Sequence, residues 1–96
     1  MRFIWDAAKS RRNLAKHKIS FETATLVFED LKVFSRLDRV VEGEERWQTM
    51  GLVGGVVVLL VAHTVFEEDG EEAIRIISAR RATRSEREQY ERHQDD

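Results

Sequence analysis

Three arginines close together near the carboxyl end of the chain could bind a phosphate group. Arg80 and Arg81 end a predicted strand, and Arg84 is the first residue of a predicted helix. A guanidinium group binds phosphate oxygens in pairs and stays charged, and a helix N-terminus also attracts anions. The same spacing fits a solvated strand end whose arginines pair with Glu86 or with the acidic run at 67–72. Both interpretations stay open.

Two further positions could take part in chemistry on a phosphate ester. Arg46 opens a predicted strand beside Glu45, so it is either a second phosphate ligand that Glu45 orients or half of a surface ion pair, worth about 0–1 kcal/mol. His17 exchanges protons near neutral pH, and its neighbours Lys16 and Lys18 favour the neutral form that a base needs. The alternative is a histidine that caps the end of a helix.

Basic and aromatic side chains could extend such a site toward a nucleic acid. Lys9, Arg12 and Lys16 follow one flank of the first predicted helix and could track a line of phosphates, or they form a solvated helix face. Trp5 and Trp47 could stack on bases, but their places at the ends of short strands favour packing in the core.

The remaining chemistry-bearing residues predict neither a metal site nor a cofactor site. His63 lies inside the most apolar predicted strand, which favours a hydrogen-bonded core residue, and His93 receives no role. Three scattered histidines and the absence of cysteine argue against zinc. The acids at 67–72 lack the spacing of a calcium loop, and no glycine-rich phosphate loop is present.

The composition narrows the class of protein. A chain of 96 residues with 42% hydrophobic and 35% charged residues predicts one globular domain over 1–96. The lack of cysteine fits a reducing compartment, and the first twelve residues lack the apolar segment of a signal peptide, so we expect a cytoplasmic protein. The apolar stretch 50–62 is interrupted by glycines and falls short of the about 20 residues that a membrane helix needs.

The charges are segregated along the chain, although the net charge is only −2. Residues 1–18 carry six Lys or Arg and one acid, and residues 74–92 carry six Arg and three Glu. Residues 67–72 contain five acids and no base. If the fold brings the two basic segments together, the surface has a basic face and an acidic edge.

Hydrophobic periodicity and capping residues predict an α+β protein, with helices on a small antiparallel sheet in the order β-α-α-β-β-β-(β)-α. Asp6 and Ser20 are predicted N-caps, and Thr83 with Glu86 forms a capping box. The predicted elements are a strand at 3–5, helices at 7–16 and 21–28, a weak strand at 31–37, a loop at 38–44, strands at 46–53, 56–66 and 73–80, and a helix at 84–93.

A set of short segments occurs in the order and at the spacing of one known family. In the first half the segments are Phe3-x-Trp5-Asp6, Lys9, Asn13, Lys16-His17, Ser20-Phe21-Glu22-x-Ala24 and Val27-Phe28-x-Asp30. In the second half they are Glu45-Arg46, Gly51, Arg75-Ile76-Ile77-Ser78-Ala79-Arg80-x-Ala82 and Glu86-Arg87-x-x-Tyr90. Through these segments nearly the whole chain resembles the BrnT-type toxins. It departs at Lys18, where the family commonly has a glycine, and a left-handed lysine there costs about 1 kcal/mol.

The resemblance implies a RelE-like fold and a ribonuclease that works without a metal and inhibits translation. Such cleavage needs a base for the ribose 2′-OH, an acid for the leaving 5′-oxygen and cations around the phosphorane. Arg80 would stabilise the transition state, and Arg46, His17 and Glu45 would complete the catalytic set. The implied RNA-binding residues are Lys9, Arg12, Lys16, Arg81 and Arg84.

The resemblance also implies a protein partner. A BrnA-like ribbon-helix-helix antitoxin would neutralise the toxin in a hetero-oligomer and would bind operator DNA, so that the toxin reaches DNA only through the antitoxin. Two other functions stay open for the chain. One is a toxin-like module without catalysis that acts as a co-repressor, and the other is a domain that binds RNA and leaves it intact.

Overall fold

The computed structural model describes residues 1–94, in which three α-helices, a 3₁₀ turn and five strands follow one another. In chain order they are β1 (Arg2–Ile4), α1 (Ala7–His17), α2 (Phe21–Thr25), the 3₁₀ turn (Leu26–Glu29), β2 (Phe34–Val41), β3 (Glu44–Val53), β4 (Val57–Glu68), β5 (Glu71–Arg81) and α3 (Arg84–His93). Within residues 1–94, none of the helices combines the length and the apolar character needed to cross a bilayer. The prediction of one domain over 1–96 stays a prediction.

The five strands form one mixed sheet in the order β1-β5-β4-β3-β2. Strands β2 to β5 make an antiparallel meander, but β1 pairs with β5 in parallel, with Phe3 opposite Ile74. The α+β class is confirmed, and the prediction of an antiparallel sheet is confirmed in part, for β2 to β5 but not for β1. The parallel pair places the basic amino-terminal segment beside the basic segment that begins at 74.

Three tight turns connect the strands of the meander, and both central residues of each turn have positive φ, as type I′ turns require. The central pairs are Glu42-Gly43, Gly54-Gly55 and Asp69-Gly70. The last two turns were predicted. The predicted loop at 38–44 is wrong, because β2 continues to Val41 and the chain reverses at Glu42, whose φ is 51°. A Glu-Gly pair is a weak turn signal beside Gly-Gly or Asp-Gly.

The sheet has a core on each face. Helices α1 and α2 and the 3₁₀ turn cover the first face, where the buried residues include Phe21, Val27, Val61 and Ile76. Close packing there depends on Gly51, because a Cβ atom at this position would lie 2.6 Å from the backbone oxygen of Val27. Helix α3 covers part of the second face, and the residues buried beneath it are Met50, Val58, Leu60, Ala82 and Tyr90.

The helix starts follow their capping residues. Asp6 accepts from the Lys9 backbone N–H at 3.0 Å, Ser20 caps α2 in the same way, and both bonds of the Thr83–Glu86 capping box are present. These three predictions are confirmed. Helix α1 ends at Lys18, which has the left-handed conformation with φ 61°. Glycine usually occupies this position after a helix, and here a lysine adopts the same conformation.

Candidate functional site

A basic groove lies between α1 and the edge of β5. It encloses about 390 Å³, and its lining residues are Lys9, Arg12, Asn13, Lys16, His17, Ile77 and Ser78. Four residues predicted for the site, Lys9, Arg12, Lys16 and His17, therefore come together here. No carboxylate lines this basic groove, and within residues 1–94 none of its three Lys or Arg side chains forms an ion pair.

Asn13 positions α1 against β5 and so shapes the basic groove. Strand β1 stops pairing at Arg75, which leaves the following edge of β5 without a neighbouring strand. The side chain of Asn13 replaces that strand: it accepts from the Ala79 N–H at 3.1 Å and donates to the Ala79 carbonyl at 2.9 Å. It also donates to the carbonyl of Ile19 at 2.8 Å, and it is 7% exposed. These bonds satisfy backbone groups that would otherwise be buried without partners.

A bulge in β5 forms the other wall of the basic groove. The register with β4 shifts between Ala62 and His63, so that Ile77 is the extra residue between Ile76 and Ser78. A bulge turns side chains out of the regular alternation of a strand, and bulges are common beside functional sites. Here it brings Ile77 and Ser78 to the groove.

Four arginines on the second face of the sheet, the face that α3 partly covers, form ion pairs with Glu44 or Glu86, and we call this surface the arginine face. Its members are Arg36 from β2, Arg46 from β3, and Arg75 and Arg80 from β5. Strand alternation and their shared ion-pair partners put them on one side. These four arginines and the carboxylates of Glu44 and Glu86 sum to a net charge of about +2. Exposed Arg39, which pairs with Asp38, lies opposite Arg46 on the same side of the sheet.

The carboxylate of Glu86 binds two of these arginines. Arg80 donates to both of its oxygens, at 2.7 Å to Oε1 and 3.0 Å to Oε2, and a nitrogen of Arg36 lies 3.4 Å from Oε2. Arg36 also donates to Gln48 Oε1 at 2.9 Å and to Gln89 of α3. The hydrogen bonds from Arg80 lower the pKa of Glu86 to about 2, although burial opposes the shift. Glu86 is therefore an anion at any physiological pH.

A looser row of charges crosses the arginine face beside this cluster. Arg46 Nε lies 3.2 Å from Glu44 Oε1, but it is not aligned for a hydrogen bond, so this buried nitrogen has no hydrogen-bond partner within residues 1–94. Arg75 lies 3.6 Å from the other oxygen of Glu44 and covers the ring of Phe66 at 5.5 Å. The buried hydroxyl of Thr64, opposite Arg75 in β4, also lacks a hydrogen-bond partner among the described residues.

The structure separates several residues that were predicted to act together. Arg80 and Arg81 are consecutive in β5, so their side chains point to opposite faces, and exposed Arg84 pairs with Glu88. The predicted cluster of Arg80, Arg81 and Arg84 is therefore not formed.

The carboxylate beside Arg46 also differs from the one predicted. Glu45 is exposed and, by alternation, faces away from Arg46, and Glu44 takes the place predicted for it. Arg46 and Arg80 do share a face. Ser78 alternates onto that face as well and lines the basic groove, so the two surfaces adjoin at the edge of β5.

Sequence reasoning did not single out Arg36, Glu44 and Arg75 as site residues. Successive side chains of a strand point to opposite faces of the sheet. This period of two was the signal in the sequence that could have placed the three residues on one face. Arg36 pairs with Glu86 of α3, and Arg75 pairs with Glu44 of β3, so these partners come from other elements. Only the pair of Glu44 with Arg46 lies within one strand.

The other aromatic and titratable candidates are structural. His63 is 3% exposed, its Nε2 lies 2.6 Å from Thr49 Oγ1, and burial lowers its pKa, so the prediction of a core histidine is confirmed. Trp5 packs edge-on against Phe21 on the first face. Trp47 is half-buried opposite His63.

Tyr90 attaches α3 to the rest of the fold. Its hydroxyl donates to Asp30, whose carboxylate also accepts from the Leu52 N–H at 2.8 Å. Burial and the adjoining carboxylate raise the pKa of Tyr90 to about 12. This contact, together with the Glu86 cluster, holds α3 over the second face.

Comparison with known proteins identifies the family. The family model described as "Ribonuclease toxin, BrnT, of type II toxin-antitoxin system" matches residues 5–86. The chain belongs to the BrnT family. The crystal structure of the ribonuclease toxin BrnT from Brucella abortus is similar to this BrnT chain, with a TM-score of 0.62 and 28% sequence identity, over 88% of this chain and 99% of that one. No curated protein matches the sequence.

The family match covers the whole of both candidate surfaces. Its range of 5–86 begins before Lys9 and ends at Glu86, so the basic groove and the charged residues of the arginine face all lie within it. The rest of α3 lies beyond the matched range. The resemblance to BrnT-type toxins is confirmed.

Proposed function

We propose that this BrnT protein is a metal-independent endoribonuclease that inhibits translation and is neutralised by a BrnA-like ribbon-helix-helix antitoxin. One observation carries the proposal: Arg46 and Arg80 lie on the same face of the sheet, and that face adjoins a groove lined by His17 and by three Lys or Arg side chains that form no ion pair within residues 1–94. The groove suits an RNA backbone, because lysine and arginine that lack a carboxylate partner are free to neutralise phosphates. The arginine face suits the phosphate that reacts.

The reaction needs no group outside the chain. A base removes the proton of the 2′-OH, the 2′-oxygen attacks phosphorus, and the P–O5′ bond breaks as an acid protonates the leaving oxygen. His17 is the candidate for proton transfer, and Arg80 with Arg46 stabilises the charge on the phosphorane. Glu44 orients Arg46 from its 3.2 Å position. The products are a 2′,3′-cyclic phosphate and a 5′-hydroxyl.

The proposed partners follow from the surface charge and from the family. Lys9, Arg12 and Lys16, with the exposed Arg81 and Arg84, form the contacts to RNA. An antitoxin would cover this basic surface with an acidic or apolar segment, and it would bring the toxin to operator DNA. The proposed place of action is the cytoplasm, because translation takes place there.

The decisive experiment incubates the purified protein with RNA in the presence of EDTA. We expect cleavage that leaves cyclic phosphate ends, and we expect Arg80→Gln and Arg46→Gln to lower it at least about a hundredfold. Arg11→Gln, at an exposed arginine of α1 that does not line the basic groove, should cleave normally. Expression without antitoxin should arrest growth, and coexpression with the ribbon-helix-helix protein should restore it. RNA that stays intact with the wild type, or full activity of Arg80→Gln, would contradict the proposal.

One observation favours a second candidate, a non-catalytic co-repressor. Arg80 is bound to Glu86 and Arg46 lies beside Glu44, so neither guanidinium is free of a carboxylate. A protein in which these pairs are permanent would bind its antitoxin and operator but leave RNA intact. The same cleavage assay separates the two, and RNA that is bound but uncut indicates an RNA-binding domain instead.

A further inference from the structure

Two arginines from distant strands meet at one carboxylate on the arginine face. Arg80 lies in β5 and Arg36 in β2, with β4 and β3 between them, a backbone separation of about 14 Å at the usual strand spacing. Both side chains reach Oε2 of Glu86, at 3.0 Å from Arg80 and 3.4 Å from Arg36. Glu86 is only 13% exposed, so this anion sits well inside the cluster.

The cluster has the properties of a site for a larger anion. A guanidinium fork binds two oxygens of a phosphate as it binds the two oxygens of a carboxylate. Arg36 is held independently of Glu86 by Gln48 at 2.9 Å and by Gln89, so it stays in place if the carboxylate leaves. Removal of Glu86 would leave two positioned arginines with no other carboxylate within 4 Å among residues 1–94.

We propose that Arg36 and Arg80 form a single binding site for a phosphodiester, and that Glu86 occupies this site until the backbone of RNA displaces it. Only the choice of RNA as the ligand rests on the proposed function. Arg36 thereby becomes a substrate-binding residue, and Glu86 an internal competitor for the phosphate. Helix α3 need not detach, because Tyr90 holds it to Asp30 and only the side chain of Glu86 has to turn.

The test measures binding of a single-stranded DNA oligonucleotide, which lacks the 2′-OH and cannot be cleaved by the proposed reaction. Glu86→Gln keeps an oxygen that can accept from the Thr83 N–H and thus keeps the helix cap. Loss of a competing charged hydrogen-bond acceptor should tighten binding about tenfold in fluorescence anisotropy. The matched control is Glu91→Gln, an exposed position of α3 that forms no ion pair within residues 1–94, and it should change binding less than about twofold.

Two further variants complete the test. Glu86→Asp keeps the charge and favours the first turn of the helix, but its shorter side chain cannot reach both arginines, so we expect it to tighten binding as well. Arg36→Gln should weaken binding and cancel the gain when combined with Glu86→Gln, whereas Arg11→Gln, at an exposed position of α1 outside the basic groove, should do neither.

The results that would overturn the proposal are independent of catalysis. The proposal is overturned if folded Glu86→Gln or Glu86→Asp binds the oligonucleotide no more tightly than Glu91→Gln does. Glu86 would then stabilise the fold without competing for the phosphate. RNA that stays intact in the cleavage assay would refute the proposed ribonuclease and leave the DNA result standing. Normal RNA cleavage by the wild type, together with DNA binding that the Glu86 variants leave unchanged, would refute the Arg36–Arg80 site and leave the proposed ribonuclease standing.

Discussion

The basic groove and the arginine face are both positively charged, but their cations differ in how they are held. The groove takes its cations from one face of a single helix, at Lys9, Arg12 and Lys16, and all three side chains are exposed. The arginine face takes its cations from three strands, and each is close to a carboxylate. The groove is therefore open to any polyanion, whereas the arginine face presents guanidinium groups that are already oriented.

The difference indicates a division of labour between binding and catalysis. Flexible, hydrated lysines attract a nucleic acid over a distance, and salt screens that attraction. A transition state benefits from charges whose direction is set before the reaction begins, because no reorganisation is then needed. The carboxylates that orient the arginines also compete with the substrate, which is the cost of having them in place.

The largest expected effect is on the kinetic parameters of RNA cleavage, in which substitutions on the arginine face and in the basic groove should differ. Arg80→Gln should lower kcat for RNA cleavage by about 10²- to 10³-fold, because it removes stabilisation of the transition state. It should raise KM by a smaller factor, because Arg80 also binds the phosphate before the reaction. Lys16→Gln should instead raise KM by less than about tenfold and leave kcat unchanged. Steady-state kinetics on a short RNA checks both. The division of labour is wrong if Lys16→Gln also lowers kcat, or if Arg80→Gln leaves kcat unchanged.

The next largest effect concerns the support of the groove. Asn13→Ala should lower the free energy of unfolding by about 3 kcal/mol, because three buried backbone groups, two on Ala79 and one on Ile19, lose their partner. Urea unfolding measures the change. Arg11→Ala, an exposed position on the same helix, is the control and should change stability by less than about 0.5 kcal/mol. Equal effects would mean that α1 does not depend on Asn13.

The free energy of unfolding at acidic pH should reveal how much the ion pairs of Glu86 stabilise the protein. Glu86 has a pKa of about 2 in the folded protein and 4.5 as its reference value, so its contribution is complete above 4.5 and is lost as the pH falls toward 2. Because the cluster is partly open to water, we expect about 2 kcal/mol rather than the full value of the shift. Unfolding free energies of the wild type and Glu86→Gln should therefore converge on acidification. A constant difference across this range would place the stabilisation elsewhere.

The smallest effect concerns the end of α1 beside His17. Lys18→Gly should raise the unfolding free energy by about 0.5 kcal/mol, because glycine adopts the left-handed conformation of φ 61° without strain. The gain is reduced by loss of the bond from Lys18 Nζ to the Ala15 carbonyl at 3.1 Å. Lys18→Ala is the control and should be no more stable than the wild type. A less stable glycine variant would show that this contact outweighs the strain.

Local sequence alone determined the features that depend on neighbours in the chain. Asp6, Ser20 and Thr83 start helices because their side chains reach backbone N–H groups three residues on, and Asp69-Gly70 reverses the chain because both residues accept positive φ. The segments typical of the family were likewise readable, and of the residues predicted for the site Lys9, Arg12, Lys16 and His17 come together in the groove. The opposite directions of Arg80 and Arg81 were also implied, since consecutive residues of a strand face apart.

Tertiary structure alone decided which charges meet. The parallel pairing of β1 with β5 and the contact of Arg36 with Glu86 both join residues far apart in sequence. The choice of Glu44 over Glu45 beside Arg46 depends on which side of β3 faces the arginines. Such pairings follow from strand order and register, which depend on the packing of the whole sheet and leave no signal within a short window of residues.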